Sequence, residues 1–180
     1  MQKTSILCLL VFPLFCSAQE LGLRYSNAWA DNKALTTPLG VGVFLISTDS
    51  AKKICVLLSF DFYLTNRELE KTNLDAYSLR FKYSVAILRV LPLSRNIKFK
   101  IGPAVSYQRA LGDVDYNTMY PPPGDSNYIG AGIILNLKIE RLFHSNINFD
   151  TFLSPEYLFY IDGYHKPDVR IAGFNMGISF

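Results

Sequence analysis

Large apolar residues alternate with small or polar residues along most of this chain, with a period of two. From Ile54 to Leu64 every second residue is large and apolar, while Cys55, Ser59 and Asp61 stand among the residues between them. Successive side chains of a β-strand point to opposite faces, so this spacing predicts a strand with one fully apolar face. The same alternation predicts eight strands in all, which begin near Leu21, Leu39, Ile54, Ser78, Ile97, Ile129, Ile147 and Phe174.

Two prolines interrupt this pattern. Pro103 and Pro155 fall inside the fifth and seventh predicted strands, where a proline cannot donate a hydrogen bond to the ladder. We expect each of them to mark a bulge or a local gap between strands. A helix is disfavoured throughout, because these segments are rich in glycine, β-branched and aromatic residues.

The composition of the two faces decides which class of barrel the strands form. One face carries rows of Leu, Ile, Val, Phe and Tyr, and the other carries Gly, Ser, Ala, Asn, Lys, Arg and Asp. Eight strands enclose an interior only wide enough for side chains, which rows of large residues would overfill. The apolar face should therefore point outward to lipid. This predicts an all-β fold, an eight-stranded antiparallel up-and-down transmembrane β-barrel, rather than a soluble barrel of the lipocalin type.

The lengths of the predicted connections fit a membrane barrel. With both termini on the periplasmic side, outer connections should be long and inner turns short. Long connections follow the strands that end near Asn27, Thr65 and Arg109, and short turns separate the strands at the other end. The longest connection lies between Arg109 and Asn127 and contains three consecutive prolines, at positions 121–123.

The first 18 residues have the features of a cleaved signal peptide. Lys3 supplies the positive charge, residues 6–15 form a short apolar segment, and Ala18 precedes the expected cleavage site. A transmembrane anchor is the alternative, but ten residues in a helix span about 15 Å, half of a hydrocarbon core. A lipoprotein signal at Cys16 is disfavoured by the bulky Phe15 before it. We therefore assign residues 1–18 to the signal peptide and residues 19–180 to the barrel domain.

Composition narrows the function classes. Of 180 residues, 49% are hydrophobic and 18% are charged, which excludes a disordered chain, and a net charge of +3 gives no reason to expect a nucleic-acid partner. The mean hydropathy is positive, at +0.15, although the predicted mature chain has no apolar run of 18 residues. Cleavage after Ala18 would leave Cys55 as the one cysteine, so no disulfide is expected within the chain.

Three short segments carry a resemblance to a known family. Residues 174–180 resemble the C-terminal strand of outer-membrane β-barrels, which ends in an aromatic residue preceded by alternating apolar residues; here these are Phe174, Met176, Ile178 and Phe180. The Gly-Pro-x-x-x-Tyr stretch at 102–107 and residues 22–25 are similar to segments of PorT-like barrel domains. The resemblance, which also extends to OmpA- and OmpX-like barrels, implies an outer-membrane location. It further implies recognition of the last strand by the barrel-assembly machinery.

The inward-facing positions carry charged residues that must pair or meet water, because an unpaired buried charge is expensive. We expect Asp61 to lie near Arg80 or Lys82, and Lys138 to lie near Asn148 or Asp150, since their strands are neighbours. The predicted charge network inside the barrel consists of Arg24, Asp61, Arg80, Lys82, Lys98, Lys100, Lys138, Asp150 and Glu156.

The chain offers little for catalysis. Its two histidines, His144 and His165, lie in predicted connections without a nucleophile at a suitable spacing, so no catalytic residue is assigned. Asp113, Asp115 and Asp125 are too spread along the chain to indicate a calcium site. No cofactor and no metal is expected.

We therefore expect a non-enzymatic outer-membrane barrel with a structural or surface-interaction role through its outer loops. The expected partners are outer-membrane lipid, the assembly machinery during insertion, and an extracellular partner at the loop between Arg109 and Asn127. A narrow channel for small solutes and a lipid-modifying enzyme are the alternatives.

Overall fold

The computed structural model describes residues 20–30, 37–49, 51–69, 74–113, 124–141, 145–161 and 169–180. The predicted signal peptide, residues 1–18, lies outside them. None of the described residues belongs to a helix long and apolar enough to cross a membrane. The eight strands are β1 (Glu20–Ala30), β2 (Thr37–Asp49), β3 (Ile54–Leu69), β4 (Leu74–Pro92), β5 (Ile97–Asp113), β6 (Gly124–Ile139), β7 (Asn148–Tyr160) and β8 (Val169–Ser179).

The strands form one closed barrel in which each strand pairs with its neighbours in the chain. All the pairings are antiparallel, and β1 also pairs with β8, so the sheet has no open side at the seam. The backbone N–H of Phe180 continues this seam by donating to the carbonyl of Leu21 at 3.0 Å. The eight-stranded up-and-down barrel predicted from the alternation is confirmed. We call the end that holds Glu20 and Phe180 the terminal end, and the opposite end the distal end.

The four middle strands are longer than the sequence predicts. β4 has 19 residues and β5 has 17, whereas β1 and β8 have 11 each. Between Thr65 and Asp75, where the sequence predicts a long connection, β3 continues to Leu69 and β4 begins at its register partner Leu74. The alternation of large apolar and polar residues does not continue into these parts of β3 and β4, so the pattern does not mark where the strands end.

Both interrupting prolines coincide with gaps in the ladder, as expected. The pairing of β4 with β5 stops at Ala104 and resumes at Ile101, with Pro103 in the gap. The pairing of β6 with β7 stops at Glu156 and resumes at Leu153, with Pro155 in the gap. Both prolines are exposed on the outward face, and each still has a paired strand on its other side.

The outward face is apolar and the inward face is mixed, which decides against a soluble barrel. Leu23, Val41, Ile87 and Val105 are each more than 40% exposed, and they alternate with buried neighbours. The interior differs from the expected mixture of small and charged residues, because it also holds large apolar side chains such as Phe44. These collect in two layers, which divide the polar groups of the interior.

Candidate functional site

An ion pair links β1 to β3 across the strand that separates them. The Arg24 guanidinium donates from Nε and Nη2 to the two carboxylate oxygens of Asp61, at 2.7 and 2.5 Å. Ser26 Oγ donates to the same carboxylate at 2.9 Å. Gly42 of β2 is the register partner of both Arg24 and Asp61, and a Cβ atom there would lie 2.2 Å from Asp61 Oδ1. The missing side chain of Gly42 is therefore what lets the two charged groups meet.

A second ion pair crosses the barrel from β4 to β7. Lys82 Nζ donates to Glu156, whose other carboxylate oxygen accepts from Ser106 Oγ at 2.7 Å and from Gln108 Nε2 at 3.3 Å. Glycine again provides the space, because a Cβ atom on Gly130 of β6 would lie 2.3 Å from Ser106 Oγ and 2.9 Å from Glu156. Glu156 thus reaches across β6 to the wall beyond it.

An apolar layer lies toward the distal end of the interior. Arg80 lies in this layer, and its guanidinium carbon is 4.4 Å from the centroid of the Tyr63 ring, the distance of a cation–π contact. Both side chains are almost completely buried. The apolar members of this distal layer are Ala28, Tyr63, Ala110, Tyr128, Leu158, Val169 and Ile171.

A second apolar layer lies nearer the terminal end. Phe44 and Phe152 meet edge to face across the interior, with ring centroids 5.1 Å apart. The Arg24 guanidinium lies 5.9 and 5.1 Å from the two ring centroids, so the same group binds Asp61 and covers this layer. The members of this inner layer are Phe44, Ile46, Cys55, Leu57, Ala86, Leu88, Val90, Ala104, Ile134 and Phe152. Together the two layers interrupt the polar interior twice between its ends.

A third cluster of charged residues lies at the rim of the terminal end. Lys138 Nζ is 2.5 Å from Glu20 and 3.6 Å from Glu140, and Lys98 Nζ donates to Glu140 at 2.6 Å. Burial raises the pKa of the Glu140 carboxyl, but the hydrogen bond and charge of Lys98, aided by Lys138, outweigh this effect and hold that pKa below its usual value. The rim therefore carries two lysines and two glutamates that lie within ion-pair distance of one another.

One buried cation lacks such a partner. Lys100 is 2% exposed, and its ammonium group has no hydrogen bond to any residue that the structure describes. The nearby carboxylate of Asp150 is occupied instead by Ser179 Oγ at 2.8 Å and Asn136 Nδ2 at 3.1 Å. Lys100 therefore contributes charge to the interior without closing an ion pair there.

The structure places all nine charged residues of the predicted network on the inward face, eight of them buried and Lys98 at the rim. Both expected proximities are present in the register, but the ion pairs form with other residues. Lys82 stands opposite Asp61 in the register, but Asp61 binds Arg24 and Lys82 binds Glu156. Lys138 stands opposite Asp150, yet its ion pairs go to Glu20 and Glu140.

Several interior residues were missed by the sequence pattern. The even-numbered residues of β1 point inward, and Glu20 is one of them, as is Arg24. The period of two alone could therefore have identified Glu20 as an interior residue. Gln108 and Ser106 share the inward face of β5 in the same way, whereas nothing in the sequence marks them as partners of Glu156.

The remaining predicted residues divide between the outer wall and the undescribed segments. Met176, Ile178 and Phe180 are exposed on the outward face, with Phe174 half-buried beside them. His144 and His165 lie outside the described residues, as does the centre of the loop between Arg109 and Asn127. Among the described residues there is no group of three His, Cys, Asp or Glu side chains that could hold a metal ion.

No family model matches the chain, and no curated protein matches it. Among solved structures, Neisserial surface protein A superposes with a TM-score of 0.63 at 12% sequence identity, over 89% of this chain and 94% of that one. The N-terminal β-barrel domain of Pseudomonas aeruginosa OprF gives a TM-score of 0.47 at 9% identity, covering 91% and 98% of the two chains. Ail, the attachment invasion locus protein of Yersinia pestis, was solved with the heparin analogue sucrose octasulfate. It gives a TM-score of 0.44 at 16% sequence identity, over 89% of this chain and 95% of that one. The first of these likenesses, with the closed eight-strand topology, shows that the chain has the fold of the small outer-membrane β-barrels.

Proposed function

We propose that this chain resides in the bacterial outer membrane as a non-conducting, non-enzymatic β-barrel with a structural or surface-interaction role at its distal end. The fold and the apolar outward face support residence in a membrane, since such a face in water would be one large aggregating patch. In this orientation the terminal end faces the periplasm and the distal end faces outward.

The observation that carries the proposal is the distal extension formed by the long strands β3 to β6. The register of β2 with β3 ends at Leu39 and Leu64, whereas β3 continues to Leu69. At roughly 3.3 Å per residue, this continuation adds about 16 Å along the strand. On the other side, β6 begins at Gly124, before its first partner on β7, which pairs at Tyr128. Within the described part of the chain, these four strands thus extend beyond the strands on either side.

Such an extension suits contact with a partner better than it suits transport. Beyond Leu64, no described residue of β2 pairs with β3, and a strand edge of this kind is one that a strand of a partner can extend. The two apolar layers argue against the alternative of a narrow channel, because apolar constrictions exclude water and ions. A lipid-modifying activity has no support from the described side chains.

Shortening the extension tests the surface role. Thr65 and Ser78 are register partners, so replacing residues 66–77 with an Asn-Gly turn removes the upper hairpin and keeps the register below it. The matched control replaces only residues 70–73 with Asn-Gly between the partners Leu69 and Leu74, which keeps the height of the extension. We expect cells that display the short variant to lose adhesion to protein-coated surfaces, and the control variant to retain it.

Envelope integrity and conductance complete the test. If the role is structural, deletion of the gene will sensitise cells to detergents, and the short variant will restore resistance. Discrete conductance steps in planar bilayers would contradict the proposal in favour of the channel. Unchanged adhesion and unchanged detergent resistance in the deletion strain would contradict both forms of the role.

A further inference from the structure

The outer wall of the barrel contains a hollow on the side formed by β6, β7, β8 and β1. Its volume is about 670 Å³, which is within the range of about 300–1,000 Å³ that small-molecule sites occupy. The floor is made by small outward residues, Pro155 of β7 and Ala172 of β8, which are register partners. Trp29 of β1 pairs with Ala172 on one side, and Ile133 of β6 borders the other side. The hollow is therefore two strands wide, between two large side chains.

The sequence explains why the wall is hollow at this level. Pro155 removes a backbone donor, and the pairing of β6 with β7 is interrupted beside it, so Ile133 is not held against the floor by the ladder. The next outward-facing register pair toward the terminal end, Leu153 and Phe174, carries large side chains in place of the small Pro155 and Ala172. The hollow is thus a mostly apolar depression in a surface that carries large side chains beside it.

A charged side chain stands at the distal end of this hollow. Arg170 lies outward and exposed, opposite Tyr157 in the register, and both residues line the hollow. Among the described side chains on the outward face, the charged residues are Arg89, Arg109 and Arg170, apart from Asp49 at the last position of β2. Arg109 and Arg170 stand toward the distal end, with no acidic residue among the described outward side chains there. An arginine is tolerated on a lipid-facing wall only near the headgroups, where its planar fork binds phosphate in two hydrogen bonds.

From this arrangement we propose that the hollow is a binding site for a phosphorylated acyl lipid, with one acyl chain over Pro155 and Ala172 and the phosphate at Arg170. The inference rests on the proposed function, because it takes the distal end to face outward. At that end the surrounding leaflet is built from lipid A, and we assign lipid A as the occupant in preference to a phospholipid. The depression supplies the apolar contact and Arg170 supplies the charge.

The chain carries its own reporter for this site. Trp29 is the one tryptophan of the sequence, it is 51% exposed, and it forms one wall of the hollow. The full chain is refolded into phosphatidylcholine vesicles, and Trp29 emission is recorded while lipid A is added. Parallel titrations use phosphatidylglycerol, an anionic phospholipid, and lipid A from which the phosphates have been removed. We expect a saturable change with lipid A and no saturable change with the other two lipids.

Two variants separate the parts of the site. Ala172→Leu fills the floor without touching Arg170, and Arg170→Gln removes the charge without touching the floor. Each is expected to weaken the apparent affinity for lipid A by about tenfold or more. Arg89→Gln, at an outward arginine nearer the terminal end, is the matched control and should bind as the original chain does.

The outcomes are distinguishable. A response to phosphatidylglycerol equal to that with lipid A would overturn the assignment to lipid A, and an Ala172→Leu variant that binds normally would overturn the hollow as the site. Heat-modifiable migration of each sample is measured first. A chain that inserts and migrates as a barrel, yet shows no saturable response, contradicts the lipid site alone. A chain that never shows heat-modifiable migration contradicts the proposed membrane barrel itself.

Discussion

Arg24 and Asp61 belong to strands that are not neighbours, and they form their ion pair over Gly42, which is the register partner of both. The same arrangement recurs where Glu156 reaches Ser106 past Gly130. In each case the strand between the partners carries a glycine where another residue would block the contact. Inward glycines therefore leave space for polar side chains on strands that are not neighbours to meet.

Substitution of Gly42 should break the first ion pair. In Gly42→Ala the added Cβ would lie 2.2 Å from Asp61 Oδ1 and 2.8 Å from the backbone oxygen of Phe60, so the carboxylate must move away from Arg24. We expect a loss of about 1–3 kcal/mol in the free energy of unfolding, measured by urea titration in vesicles. Gly173→Ala is the matched control, because its Cβ would meet only the rotatable Ser154 hydroxyl within 3 Å and should change stability much less.

The two buried lysines Lys82 and Lys100 should respond differently to the same substitution. Lys82→Met leaves the Glu156 carboxylate buried without its cation, and breaking such a pair costs about 3–5 kcal/mol. Lys100→Met removes a charge that forms no hydrogen bond to a described residue but acts on the nearby Asp150 carboxylate, so the loss of stability should be clearly smaller than for Lys82→Met. Urea midpoints of both variants in the same vesicles give the comparison. Equal destabilisation by the two substitutions would refute the difference in pairing.

The rim ion pair should depend on pH. The pKa of the Glu140 carboxyl is lowered by Lys98 in the folded state, so its stabilisation is fully present above the unfolded value of about 4.3. It is lost as the pH falls through the lower folded value. We expect Glu140→Gln to reduce the free energy of unfolding by about 0.5 kcal/mol at pH 7, and by progressively less as the pH approaches 3. Lys98→Met should show the same pH dependence, because it removes the other half of the pair.

The last residue should matter for assembly in cells more than for stability. The Phe180 side chain is 57% exposed on the outward face, while its backbone N–H is bonded to Leu21. If the assembly machinery reads this residue, Phe180→Ala will lower the amount of heat-modifiable protein in outer membranes several-fold. Refolding of the purified variant into vesicles should be close to that of the original chain, because the backbone hydrogen bond remains. An equal loss in both assays would indicate a purely structural role.

Much of this architecture could be predicted from the period of two alone. Parity along each strand assigns a residue to the inward or the outward face, and on that basis the interior positions of Arg24, Asp61 and Glu156 follow from the sequence. The partner of each charge does not follow, because strands in a barrel tilt and are staggered around the wall. Side chains that reach over a glycine then meet a residue two strands away, as Asp61 meets Arg24 instead of the adjacent Lys82.

The two apolar layers of the interior could not be predicted from the sequence either. Phe44 and Phe152 stand 108 positions apart in the chain, and nothing local indicates that their rings meet. The hollow at Pro155 was also hidden, because its walls come from four strands, including both partners of the closing seam. Contacts of this kind depend on where the sheet closes. The alternation along each strand assigns a residue to a face but does not show which strands meet at the closure.

The Lys82–Glu156 pair has a consequence for the order in which the barrel forms. Its residues are 74 positions apart and lie on strands separated by two others, so no hairpin taken alone can bring them together. Arg24 and Asp61, in contrast, can meet as soon as the first three strands are joined. The Arg24–Asp61 pair therefore needs only three joined strands, whereas the Lys82–Glu156 pair needs a sheet that is curved enough to bring β4 and β7 together. The second pair thus depends on the curvature of the wall as well as on strand pairing.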